Sequence, residues 1–153
     1  MYRIDDALKE FVESGVAVIV GTGDARGRPH VAYGWGPRVR TDRTTMDVFL
    51  DLARSGASIA NLRANGRIAV TFAHPVSYQS VQFKGTFLDA GEPDDADTAW
   101  VRRHREEFLV ATSLIGDPPA VIQNRWLEEV LRIAMNVERA FDQTPGPDAG
   151  RPL

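Results

Sequence analysis

Between Gly34 and Gly85 the chain has almost no slack. Strand, strand, short helix, strand and strand follow one another as GWGPRV, TTMDVFL, ARSGASIANLRANG, RIAVTF and SYQSVQFKGTF. Links this short constrain the fold. Hairpin-length connections join antiparallel neighbours, whereas parallel strands need a crossover of a dozen or more residues. The chain before this segment obeys the same rule. Residues 16–20 form an apolar run that predicts a buried strand. GTGDARGRP is a glycine-rich turn, residues 30–35 resume an extended pattern, Asp42-Arg43 turns the chain, and residues 45–50 predict a third strand. There is no room for a helix between these three strands, so a doubly wound sheet is excluded.

The flanking elements complete the pattern. Ile4, Leu8, Phe11 and Val12 make an apolar stripe at helical spacing over residues 4–14, with Gly15 placed to end the helix. A short helical segment is expected over residues 51–62. The Asn65-Gly66 turn leads into a strand over 67–72, which Pro75 breaks. Over residues 78–88, Val81, Phe83 and Phe87 point one way and Ser80, Gln82, Lys84 and Thr86 the other. An acidic loop then precedes a helix over 98–111, and Asp94, Asp95 and Asp97 suit the positive end of that helix. Pro118-Pro119 opens a further short helix. Residues 130–141 alternate as a last strand. Six strands with few helices predict a mainly β fold, an antiparallel barrel with peripheral helices. It fills one domain over 1–142, followed by a Pro/Gly-rich tail over 143–153.

Composition removes several classes of chemistry. The 153 residues contain no cysteine, which excludes disulfides, thiolate nucleophiles, Fe–S clusters and cysteine-based zinc sites. The 18 basic and 21 acidic residues are interspersed and give a net charge of -3, so there is no footprint for nucleic acid. No apolar run reaches membrane-spanning length, and the N-terminal MYRIDDALKE is charged rather than signal-like. The expectation is a cytoplasmic protein with neither nucleic acid nor membrane as partner.

Motifs for common catalytic machinery are missing. The glycines of GTGDARG are spaced GxGxxxG and lead into Arg28-Pro29-His30 rather than a helix, so they read as a hairpin turn, not a dinucleotide fingerprint. His30, His74 and His104 lie far apart, in no metal-ligand spacing, and read as surface or packing residues. No GxSxG elbow is present, and EPDDAD lacks the glycine and terminal glutamate of an EF-hand loop. Two sets of polar residues remain open. Ser80, Gln82 and Lys84 share one strand face, either as a solvated barrel exterior or as donors lining a ligand cleft. Arg38 and Arg40 share a face, either as a bidentate phosphate clamp or as surface charge.

Residues 8–88 resemble the FMN-binding split-barrel family related to pyridoxamine 5'-phosphate oxidase. The likeness is carried by GVAVIVGTGDARGRPHVAYGW, by TTMDVFLDLARSGASIANLRANGRIAVTF and by SVQFKG. It implies a split β-barrel that forms a homodimer, with FMN at the dimer interface. By this resemblance Arg38, Val39 and Arg40 match the strand that contacts ring and phosphate. Leu50 and Asp51 match the end of the third strand, and Gln82 and Lys84 the strand bordering the cofactor. Ser58 stands where the family usually has a lysine, and Asp51 where a neutral hydroxyl residue is common. Relatives use F420 or haem instead, or no cofactor. The implied activity is an FMN-dependent oxidoreductase acting on a small molecule by hydride transfer, in which the flavin does the chemistry and the protein positions it. The alternatives are a non-enzymatic flavin, haem or F420 binder, or a cofactor-free dimeric module. Pyridoxamine phosphate oxidation itself is not expected, because that enzyme's C-terminal arginine–histidine pattern is not evident in VLRIAMNVERAFDQTPG.

Overall fold

The computed structural model describes residues 1–153. Its order is α1 (Asp6–Val12), β1 (Ala17–Gly23), β2 (Pro29–Val39), β3 (Thr45–Asp51), α2 (Gly56–Asn65), β4 (Arg67–Ala73), β5 (Ser80–Gly91), α3 (Asp95–Leu114), α4 (Pro119–Gln123) and β6 (Val130–Asp142). The strands close into one antiparallel barrel in the order β1-β2-β3-β6-β5-β4, which leaves no open sheet edge. No helix is long and apolar enough to cross a membrane.

Alternation along each strand fills the barrel. Val18 and Val20, Met46, Val48 and Leu50, Val70 and Phe72, Val81 and Phe83, and Ile133, Met135 and Val137 meet in one apolar core. Strand β3 is buried along its whole length, because its outer face is also covered. Phe49 joins Trp35, Val101 and Val130 in a second cluster beneath α3, with Trp100, Phe108 and Trp126 packed against it.

The docking of α3 depends on a bulge in β2. Trp35 pairs with Phe49 and Arg38 with Asp47, so Gly36 and Pro37 together oppose Val48 alone. A bulge leaves backbone groups outside the ladder, and here α3 takes them. The Gly36 N–H donates to His104 Nδ1 at 3.0 Å, and the Trp100 indole N–H donates to the carbonyls of Gly36 (3.1 Å) and Pro37 (3.2 Å). Pro37 has no N–H to lose from the ladder. Gly36 has φ +53, and a Cβ there would lie 3.0 Å from Val101 and 3.1 Å from Trp100. His104 Nε2 lies 3.0 Å from the Val16 carbonyl. With Nδ1 accepting, Nε2 carries the proton, so one neutral imidazole ties α3 to both β1 and β2. Gly15 allows the same approach from the other side. A Cβ on it would lie 2.6 Å from the Glu107 backbone, so close packing against α3, not helix termination, requires this glycine.

Several boundaries differ from those read in the sequence. The short helix begins at Gly56 rather than at residue 51, because Asp51 still pairs with Val130 in the sheet. It ends at Gly66 in the left-handed conformation. Helix α3 begins three residues earlier than expected, fixed by a capping box between Asp94 and Asp97. Strand β5 starts at Ser80, since Tyr78 sits in a turn with φ 60 whose Val76 and Ser77 N–H groups donate to His74 Nδ1. The C-terminal residues fold back on the barrel. Pro152 bridges to Phe141, and the Leu153 N–H donates to the Ala140 carbonyl.

Burial holds the His104 pKa down at about 4. An unfolded chain takes up this proton near pH 6.5, so between pH 6.5 and about 4 the unfolded state binds a proton that the native state excludes. Stability therefore falls as pH drops through that window, by about 3 kcal/mol at its foot for a single group. Denaturant titrations at pH 7, 6, 5 and 4 should show this loss, reduced in His104→Gln. Gly36→Ala should destabilise by about 2 kcal/mol, through strain at positive φ and contact with α3, measured the same way at pH 7.

Candidate functional site

Helix α3 covers one outer face of the barrel, and a second outer face is bare. Two rows of outward side chains cross it, each set by strand register. One runs Phe141, Gln82, Thr71, Ile19, Tyr33 and the next Arg139, Lys84, Ala69, Gly21, Val31. The polar half is supplied by β5 and β6 and the apolar half by β1 and β2. Val31 is 61% exposed and Tyr33 53%, a large apolar exposure for mid-strand residues.

A groove of about 660 Å³ runs along this face, with Thr22, His30, Arg67, Lys84, Thr86 and Arg139 among its lining residues. Its floor carries little side chain. A Cβ at Gly21 would find nothing nearer than the Ala69 carbonyl at 3.7 Å. Arg67, Lys84 and Arg139 form no ion pair within the chain, and Glu138, the one acid of the groove, accepts from the Thr86 hydroxyl. Lys84 Nζ and the Arg139 guanidinium both sit over the Phe141 ring, at 5.0 and 5.7 Å. Three unpaired cations around one short hydrogen-bonded acid make this groove electropositive on a chain of net charge -3. The Gln82 amide donates to Thr71 Oγ1 at 2.9 Å, which leaves its carbonyl oxygen to accept.

The structure separates the sequence-predicted residues into three places. Gln82 and Lys84 lie on the bare face. Arg38 and Arg40 are brought together, but on a carboxylate. Arg40 donates to Asp47 Oδ1 at 2.7 Å and Arg38 to Asp47 Oδ2 at 3.3 Å. Arg132 reaches the same Asp47 at 3.2 Å and Asp89 at 2.7 Å, and Arg38 pairs with Asp97 of α3 at 2.6 Å. Three arginines therefore meet three aspartates, and the cluster is neutral. Asp47 is 3% exposed. Burial works against its charge, but Arg40, Arg38 and Arg132 prevail and hold its carboxyl below the ordinary range. Val39 and Leu50 point into the barrel core, 5% and 0% exposed.

Asp51 and Ser58 occupy the third place. Asp51 is 3% exposed and accepts from Arg105 of α3 at 3.2 Å. Burial pushes its pKa up, and the Trp35 indole, Arg105 and Arg54 only partly offset this. Ser58 is fully buried, and its hydroxyl has no hydrogen-bond partner. Sequence reasoning missed Arg67 and Arg139. Arg67 directly follows the Asn65-Gly66 turn, but its place beside Thr86 comes from the β4–β5 register, and Arg139 joins Lys84 only through the β5–β6 register.

The family model of pyridoxamine 5'-phosphate oxidase matches residues 4–142. The chain belongs to the pyridoxamine 5'-phosphate oxidase family. Among solved structures it is similar to HupZ of Group A Streptococcus, at 20% identity and a TM-score of 0.57, over 96% of this chain and 99% of that one. An F420 reductase is 14% identical with a TM-score of 0.57, over 90% and 98% of the two chains. An FMN-binding protein of Syntrophomonas wolfei is 13% identical with a TM-score of 0.52, over 90% and 87%. At such identities these likenesses speak to the fold. No curated protein sequence matches the chain. The pyridoxamine 5'-phosphate oxidase family barrel is thus present from α1 to the end of β6.

The Asp47 cluster predicts a stability effect. Asp47→Asn leaves three arginines without their shared anion, and should cost about 2 kcal/mol. This is below the usual cost of breaking a buried pair, because the arginines are partly exposed. Denaturant unfolding of the purified variant checks it.

Proposed function

We propose that this chain is an FMN-dependent oxidoreductase working as a homodimer, with the flavin in the groove on the bare barrel face. The observation that carries this reading is the set of unpaired cations Lys84, Arg67 and Arg139 beside a side-chain-poor floor. A flavin mononucleotide needs both. Its phosphate is a compact anion suited to arginine and lysine, and its planar ring needs a flat surface at close approach. Gly21 and Ala69 supply that surface, and the Gln82 carbonyl supplies an acceptor for a ring N–H. The family supports a cofactor of this type, and relatives of this fold carry FMN and F420 in their names.

Bound flavin would supply hydride transfer. The residues of this chain would bind and orient it and exclude water. Exclusion needs a lid, and the chain has none over this face. A second copy laid on Val31, Tyr33 and Ile19 would bury that apolar surface and close the groove. The phosphate site expected at Arg38 and Arg40 moves in this proposal to Lys84, Arg67 and Arg139, because Asp47 and Asp97 already neutralise the former pair. Ser58, buried without charge, would give the phosphate no cation.

The test is titration of the purified protein with FMN, followed by flavin fluorescence, with oligomeric state read by light scattering. Lys84→Ala combined with Arg67→Ala should weaken FMN binding at least tenfold, about 1.4 kcal/mol. Gly21→Val, which fills the groove on a strand where valine is well tolerated, should do the same without loss of stability. Arg38→Ala should leave the affinity unchanged while destabilising the fold. Loss of FMN binding in Arg38→Ala at a concentration where the protein stays folded would return the phosphate to the original pair. A protein that ignores FMN but saturates with F420 would place it beside the F420 users of this fold.

A further inference from the structure

The groove on the bare face holds one acid among its cations, and the β5–β6 register puts it there. Lys84 pairs with Arg139, but the next residue, Gly85, pairs with Val137. Glu138 is therefore an extra residue with no partner on β5, a bulge. Alternation breaks at this point. Val137 and Ala140 are buried, while Glu138 and Arg139 are both exposed, so two consecutive side chains stand on the outer face. Only glycine allows the strands to close there, since a Cβ on Gly85 would lie 1.8 Å from the Asn136 carbonyl oxygen. Glu138 and Arg139 line the groove together with Arg67, Lys84 and Thr86.

Glu138 is held off those cations. Its Oε1 accepts from the Thr86 hydroxyl, and Thr86 stands opposite Arg67 in the β4–β5 register. None of the chain's ion pairs joins Glu138 to a cation of the groove. The contrast with Asp47 is direct. Arg38, Arg40 and Arg132 all reach that carboxylate. Glu138 is tied to a hydroxyl instead, and the groove presents a carboxylate acceptor beside open anion-binding groups. A carboxylate repels a phosphate placed next to it, so it weakens every phosphate ligand alike unless the ligand brings it a donor. An ammonium donor would itself be repelled by Arg67, Lys84 and Arg139. A neutral hydroxyl would not, and its hydrogen bond to a charged oxygen is of the stronger kind.

We propose that Glu138 determines which phosphates this groove accepts, selecting those carried on a polyol chain. The cations hold the phosphate, Glu138 accepts from a hydroxyl of the chain beside it, and Thr86 is the positioning residue that keeps the carboxylate from collapsing onto Arg67 or Arg139. This rests on the flavin reading for the natural ligand, whose polyol is the ribityl chain of FMN. It goes beyond that reading, because neither the flavin ring nor the phosphate calls for an acid.

The probes are ribitol 5-phosphate and pentyl phosphate, which has a chain of the same length without hydroxyls. Each is titrated into the full-length protein at low salt, with the backbone amide signals of Thr86 and Glu138 followed by NMR. Ribitol 5-phosphate should saturate and bind roughly fivefold more tightly than pentyl phosphate. Glu138→Ala should tighten pentyl phosphate, weaken ribitol 5-phosphate and so erase the preference. Glu138→Gln, which keeps an acceptor oxygen, should retain part of it, and Thr86→Val should reduce it. Equal binding of the two probes, a gain for both in Glu138→Ala, or no saturable binding of ribitol 5-phosphate would overturn this role for Glu138. FMN titrated in parallel separates the two readings. A preference for ribitol 5-phosphate in a protein that ignores FMN would leave the role of Glu138 standing and remove the flavin. FMN binding that is unchanged in Glu138→Ala, with no preference between the probes, would do the reverse.

Discussion

The bulge at Gly36-Pro37 is the constraint on which the rest of the molecule depends. A regular β2 would spend the Gly36 N–H and carbonyl inside the sheet, and α3 would meet only side chains. By setting two residues against Val48 alone, the strand turns its backbone outward, where His104 and Trp100 bind it. His104 must then be neutral, since one nitrogen accepts and the other faces the Val16 carbonyl. Glycine must occupy position 36, since φ is positive and Val101 lies against it. The second apolar cluster and the Arg38–Asp97 pair follow from where the bulge places that helix.

Covering one outer face decides which face remains. Once α3 lies over Trp35 and Phe49, the bare surface is the β5-β4-β1-β2 side, and its Val31 and Tyr33 have nothing to pack on. On the covered side Arg38, Arg40, Arg105 and Arg132 are matched by Asp47, Asp97, Asp51 and Asp89. On the bare side Arg67 and Arg139 have no partner. In a chain where sixteen of the eighteen cations are arginine, residue type carries no information about site, and a missing partner alone carries little. Convergence of Arg67, Lys84 and Arg139 on one groove does.

This explains how much the sequence could disclose. The barrel was legible because it rests on local patterns. The alternation in residues 81–87 and 131–137, the Asn65-Gly66 turn and the short early links each speak for themselves. Helix ends were less legible, because Asp94 and Asp97 cap α3 from a loop that reads only as acidic. The proposed groove was legible in half. Gln82 and Lys84 share a face by period-two spacing, but Arg67 and Arg139 reach them only through register with other strands. Arg38 and Arg40 looked free because Asp47 reads only as a residue of β3, and Asp97, the second partner of Arg38, lies fifty-nine residues away. The bulge left no mark except a glycine and a proline side by side.

Ser58 and Asp51, the two departures from the family pattern, now have a common physical reading. Ser58 is sealed, with no water contact and no hydrogen-bond partner. A lysine at that depth without an anion would lose its charge or open the fold, so serine there is consistent with a phosphate held elsewhere. Asp51 is buried as well and draws Arg105 inward from α3. An acid at the end of β3 repels an anion, but paired with Arg105 it serves as a tether for the helix. Ser58 therefore contributes no cation at the end of β3, and the charge of Asp51 is met there by Arg105.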